Sequence, residues 1–196
     1  MTATGFGVAE GALVTLDLQR GVVATYAKDP AFIPRAAGVV AEARRAGVRV
    51  IHVKVGFRPG VPEASPRNGF LSTVKASIPH QQFFSGTSGA LHPGLGVEST
   101  DLIVTKSRVS ALAGTDLEIL LRATDRRHVA LLGIATSGAV LATALHAADL
   151  DYRTFIVGDC CADAPESVHE ELIAHVLPRQ ATVLSAEEMI WACRQV

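Results

Sequence analysis

Cysteine is scarce in this chain: Cys160, Cys161 and Cys193 are the only three in 196 residues. Three thiols make no disulfide framework, and the adjacent pair fits bridge geometry poorly, so a reducing compartment is the simpler reading. An excess of one charge is missing too. Eighteen Lys and Arg against 19 Asp and Glu leave a formal net charge of −1, which argues against nucleic acid and anionic membrane as partners. No apolar run is long enough to span a bilayer, and the N-terminus lacks the basic-then-apolar order of a signal peptide. Repeats, low-complexity tracts and linkers are absent as well. These absences describe a soluble, cytoplasmic protein with a single domain over residues 1–196.

Apolar runs, by contrast, recur along the chain, and hydrophobic residues make up 48% of it. Gly11 to Asp17, Val48 to Lys54, Asp101 to Lys106, His128 to Gly133, Arg153 to Asp159 and Ala181 to Leu184 read as strands. Their near-continuous Val, Ile and Leu indicate burial on both faces, as in a parallel sheet. Helical segments fall between them. Thr115-Asp-Leu-Glu118 and Ser185-Ala-Glu-Glu188 have capping-box spacing, Asp163-Ala-Pro-Glu166 places Pro and Glu in a first turn, and Gly47 follows an Ala31 to Ala46 helix as a C-cap glycine would. The alternation predicts a doubly wound α/β fold: a mostly parallel six-stranded sheet with helices on both faces. From Gly56 to Gly96 the rhythm breaks. That Gly, Pro and Ser-rich stretch reads as a long loop, either part of a binding-site cover or an ordinary surface excursion.

In such sheets, sites form at the carboxyl ends of strands. Asp17 closes the first strand and Lys106 the third. After the fourth comes Gly133-Ile-Ala-Thr-Ser-Gly-Ala-Val140, a small-residue turn running into a helix that opens near Gly138. A turn of this kind brings backbone N–H groups to the sheet edge, where they suit a developing negative charge. The side chain it delivers is Ala139, a methyl group with no chemistry of its own. A carboxylate at a strand end is often only a turn cap. The joint placement of Asp17, Lys106 and this turn is stronger evidence.

These three segments resemble the isochorismatase-like hydrolases, also called the cysteine hydrolase or nicotinamidase-related superfamily, over about Gly11 to Glu188. Asp17 and Gln19 match the family's Asp-x-Gln segment. Lys106-Ser-Arg-Val-Ser-Ala111 is similar to the Lys-x-Arg-x-Ser-Ala of the isochorismatase branch, and the turn matches the nucleophile turn, with alanine where most members have cysteine. The resemblance implies a three-layer α/β sandwich and a homo-oligomer. It further implies a non-proline cis peptide at Ile134–Ala135 and an oxyanion hole from the N–H groups of Ala135 and Ala139. Asp17, Lys106 and the Ala139 position form the implied catalytic set, with a small molecule as substrate. Gln19, Phe57, Arg58, Phe83 and Arg108 are candidate substrate contacts, although Phe83 also fits core packing.

Alanine closes the thiol route that amidase members use. The isochorismatase branch instead cleaves a vinyl ether, in some members without the cysteine. There a protonated aspartate donates to carbon and water traps the resulting cation. That role at neutral pH requires a raised pKa at Asp17, which burial supplies and Lys106 opposes. Two other readings remain open: an amidase-type cysteine hydrolase disabled by alanine, and a binding protein on the same fold. Cys160 and Cys161 follow the fifth strand but have no evident activating neighbour, so they read as small buried hydrophobes. No cofactor is expected. His52-Val-Lys-Val-Gly-Phe-Arg-Pro59 lacks the Asp-x-His metal pair of nicotinamidases, so His52 reads as a sheet histidine and no catalytic metal is expected.

Overall fold

The structure, a computed structural model, describes residues 5–195. Six strands form one sheet in the order β3-β2-β1-β4-β5-β6: β1 Gly11–Leu16, β2 Arg49–Val55, β3 Leu102–Lys106, β4 His128–Ile134, β5 Arg153–Ala162 and β6 Thr182–Leu184. Every pairing is parallel. The sheet is therefore parallel throughout, not merely for the most part.

Alternation along β1 explains the layers. Leu13 faces a core shared with α1 (Arg20–Tyr26), α2 (Phe32–Arg45) and α8 (Ala186–Cys193). Ala12, Val14 and Leu16 face a second core, with α5 (Leu117–Ala123) and α6 (Leu141–Asp149). Successive strand side chains point to opposite faces, so one apolar run feeds both layers. The remaining helices are α3 (Gly69–Ala76), α4 (Ile78–Phe83) and α7 (Glu166–Glu171).

Local signals fare unevenly. Ser185 and Glu188 form the reciprocal capping box at the start of α8. Gly47 follows α2 at φ +83° and donates to the Arg44 carbonyl. Thr115 does not form the expected box: α5 starts at Leu117, Thr115 bonds to the Ala111 carbonyl, and Glu118 pairs with Arg122 instead. The Gly56 to Gly96 stretch is no continuous loop, since α3, α4 and a 3-10 turn at Pro93–Leu95 lie within it. Their short apolar faces are broken by Gly and Pro, which hides the helical period. β5 runs past Asp159 to Ala162, with a register irregularity against β4 between Leu131 and Gly133.

Candidate active site

The site assembles where β1, β3 and β4 end. β1 stops at Leu16 because Asp17 turns into the left-handed region at φ +55°, a conformation that Asp tolerates better than most residues. Its N–H donates to the Val53 carbonyl at 2.9 Å, which fixes the turn against β2. Lys106 ends β3, and β2 lies between β3 and β1. Two strand spacings are about 10 Å, a gap that only a long side chain crosses. Lys106 crosses it: its Nζ lies 2.8 Å from Asp17 Oδ2 and donates to the Val109 carbonyl at 2.6 Å.

Both members of this pair are buried. Burial pushes the Asp17 carboxyl up to about 6, and the Lys106 ammonium opposes that rise without cancelling it. Asp17 Oδ1 is buried with no hydrogen-bond partner among the described residues. An unpartnered acid oxygen with a near-neutral pKa is suited to exchanging a proton.

β4 supplies the third edge. At Gly133, φ is +140°, and a Cβ there would collide with the Leu16 carbonyl oxygen. Glycine alone allows β4 to lie this close to the end of β1. The Ile134–Ala135 peptide is cis, as the resemblance implied. The chain then makes one wide turn over Thr136–Val140, with the N–H groups of Gly138 and Val140 both donating to the Ala135 carbonyl, before α6 starts at Leu141. The helix therefore opens three residues later than the expected Gly138, through a wider turn. Two side chains beyond β5 hold this turn. Ser137 N–H donates to Asp163 Oδ2 at 2.5 Å, and the buried Thr136 hydroxyl shares a 2.8 Å hydrogen bond with His169 Nδ1. The sequence reading placed Asp163 in a helix start and missed His169, because neither link has a local spacing signature.

Asp17, Lys106, Ala135 and Ala139 share a cavity of about 470 Å³, within the range of small-molecule sites. Phe57, Phe83 and Arg108, expected from the sequence as substrate contacts, line it. So do Tyr26, Phe70 and Phe84, which sequence reasoning passed over. Four of the chain's seven phenylalanines are thus gathered here, which makes much of the lining around Asp17 and Lys106 apolar. Phe83 meets Phe84 edge-on at 5.0 Å and also packs against the α2-side core, so it belongs to the cavity wall and the core at once. Arg108 bonds only to the carbonyls of Ser107 and Glu63 and has no acidic partner among the described residues.

Two expected contacts lie elsewhere. Gln19 is fully buried: its amide nitrogen donates to the Val55 and Gly89 carbonyls, and its oxygen accepts from Val55 N–H. Those bonds consume the side chain in joining α1 to β2 and the following segment. Arg58 pairs with Glu63 at 2.7 Å beside a neighbouring cavity. Cys160 and Cys161 are buried, and burial raises both thiols, Cys161 to about 12, so neither is a poised nucleophile. His52 sits within the sheet between the Thr15 hydroxyl at 2.8 Å and Asp101 at 3.2 Å. Among the described residues no three His, Cys, Asp or Glu side chains converge as a metal site would require, and no helix is long and apolar enough to cross a membrane.

The family model for the isochorismatase domain matches residues 11–188, which contain every side chain of this site. The chain is an isochorismatase-family hydrolase. Its relatives in this family include the uncharacterized isochorismatase family protein YecD of Escherichia coli O157:H7, 32% identical over 91% of this chain and 94% of that one. Maleamate amidohydrolase of Pseudomonas putida is 26% identical over 98% and 90% of the two chains. An isochorismatase family protein of Burkholderia thailandensis superposes with a TM-score of 0.85 at 26% identity, covering 95% of this chain and 97% of the other. The isochorismatase-family fold thus accounts for the parallel sheet and its layers.

Proposed function

We propose that this hydrolase cleaves a small polar or anionic substrate by acid catalysis, with Asp17 as general acid and base, Lys106 as its electrostatic partner, and water as nucleophile. The observation that carries this reading is the buried Asp17 carboxyl, raised to about 6 and facing a cavity in which Ala139 offers only a methyl group. With a vinyl ether, protonated Asp17 gives its proton to the vinyl carbon, and the ether carbon becomes an oxocarbenium ion. Water adds there and returns a proton to Asp17, and the hemiketal collapses to a carbonyl compound and an alcohol. At pH 7 roughly a tenth of the Asp17 population carries the proton. Arg108, which has no acidic partner, holds the substrate's anionic group, and Phe57 and Phe83 contact its body. The N–H groups of Ala135 and Ala139 face its polar oxygen atoms. No step of this route requires a metal or an organic cofactor.

Asp17→Asn tests the reading. It removes the proton donor at nearly constant shape, so turnover should fall by about 10²–10⁴-fold with the circular dichroism unchanged. Normal rates in that variant would defeat it. A second reading draws on the relative named maleamate amidohydrolase: an amide-cleaving site whose thiol alanine has replaced. Ala139→Cys should then hydrolyse small amides that the unaltered chain leaves intact. Continued inactivity in that variant counts against this second reading.

A further inference from the structure

Lys106 Nζ meets two oxygens, Asp17 Oδ2 at 2.8 Å and the Val109 carbonyl at 2.6 Å. The second belongs to residues 107–110, a run of bends after β3 that no strand or helix holds in place. Val109 itself is exposed, so burial does not fix it. The fixing comes from α6. Thr143, buried in the first turn of that helix, accepts the Ala111 N–H at 2.9 Å. Three residues on and on the same face, His146 Nδ1 shares a 3.0 Å hydrogen bond with the Ser110 hydroxyl. From the other side the Thr115 hydroxyl donates to the Ala111 carbonyl. The two residues after Val109 are thus tied down, and its carbonyl stays aimed at Lys106. α6 also continues the turn that carries Ala139, so one helix supports both edges of the site.

We propose that Thr143 and His146 are positioning residues, which hold the Val109 carbonyl on the Lys106 ammonium and thereby set how strongly that charge acts on Asp17. The proposal rests on the reading above for the use of the Asp17 proton, though not for the geometry. A buried ammonium divides its attraction among the acceptors it can reach. With the Val109 carbonyl released, Lys106 turns more fully to Asp17. The segment that carries Val109 also lines the cavity beside Asp17, and a loosened segment admits water to a carboxyl whose burial is the main cause of its raised pKa. Both changes favour the charged carboxylate, so less of the acid form is present at neutral pH.

Thr143→Val tests this, because it keeps the side chain's shape and removes the acceptor for Ala111 N–H. Carboxyl carbon NMR should place the Asp17 midpoint below its value of about 6 in the unaltered chain. With a vinyl ether substrate, kcat/KM at pH 7 should fall about threefold while the plateau at low pH keeps its height. Thr143→Ser retains the hydroxyl and should restore both. His146→Ala, at a half-buried position, should move the midpoint the same way by a smaller amount, and it carries the test if Thr143→Val does not fold. A midpoint that stays or rises, with thermal stability alone reduced, would overturn the proposal. A midpoint that falls while the pH profile of the rate stays in place would uphold the positioning and count against Asp17 as the acid, so the two failures are distinguishable.

Discussion

In the proposed route a lysine and an aspartate two strands apart carry the chemistry, and burial and the lysine charge act on the aspartate in opposite directions. Burial raises Asp17 and Lys106 lowers it, with burial the larger effect. Replacing Lys106 with Met removes the opposing charge, so the Asp17 midpoint should move above 6, and carboxyl carbon NMR of the two proteins would show it. A midpoint that stays or falls would mean that Lys106 is not the coupled charge. The placement of Asp17 and Lys106 at strand ends was legible in the sequence, because each closes an apolar run. Gln19 was not: its position beside Asp17 suggests the cavity, but its amide satisfies three backbone groups in a buried corner. Only the three-dimensional neighbours decide between those uses.

The wide turn from Thr136 to Val140 depends on an element remote in sequence. His169 on α7 bonds to Thr136, and Asp163 caps the Ser137 N–H, so the turn's N–H groups are aimed from beyond β5. His169→Ala should lower kcat by about tenfold with KM little changed, since a small misplacement of catalytic groups is costly. Asn at the same position, able to reach Thr136, should restore part of the loss. A change confined to thermal stability would assign His169 a purely structural role. The capping box at α8 makes a simpler forecast: Ser185→Ala should cost about 1 kcal/mol in urea unfolding without touching activity. That box was readable because capping is local. The Thr115 box failed because α5 starts at Leu117, so the Thr115 hydroxyl accepts from Leu117 N–H, and Glu118 turns to Arg122 instead of back to Thr115.

On the scale of the whole molecule, strand alternation and burial on both faces let the sequence specify a six-stranded parallel sheet before any coordinates. The periodicity of β1 divides its residues between two cores, and Leu131 on β4 is fully buried in the second. Leu131→Ala should therefore cost about 2–5 kcal/mol in denaturant unfolding. What the sequence left unread is the region between β2 and β3, where short helices interrupted by Gly and Pro carry the aromatic wall of the cavity. Ile103, Ile119, Leu145 and Trp191 remain exposed on the outer surface. The homo-oligomer that the resemblance implies would give a multiple of the chain mass in sedimentation; a monomer at every concentration would contradict it.

The central claim is that protonated Asp17 initiates hydrolysis and water completes it. The pH dependence of kcat/KM on a vinyl ether substrate tests this most directly. The account predicts a plateau below pH 6 and a fall of about tenfold per pH unit above it, because the active carboxyl loses its proton there. A rate that rises through pH 6 would show the carboxylate, not the acid, to be the working form, and would contradict the account.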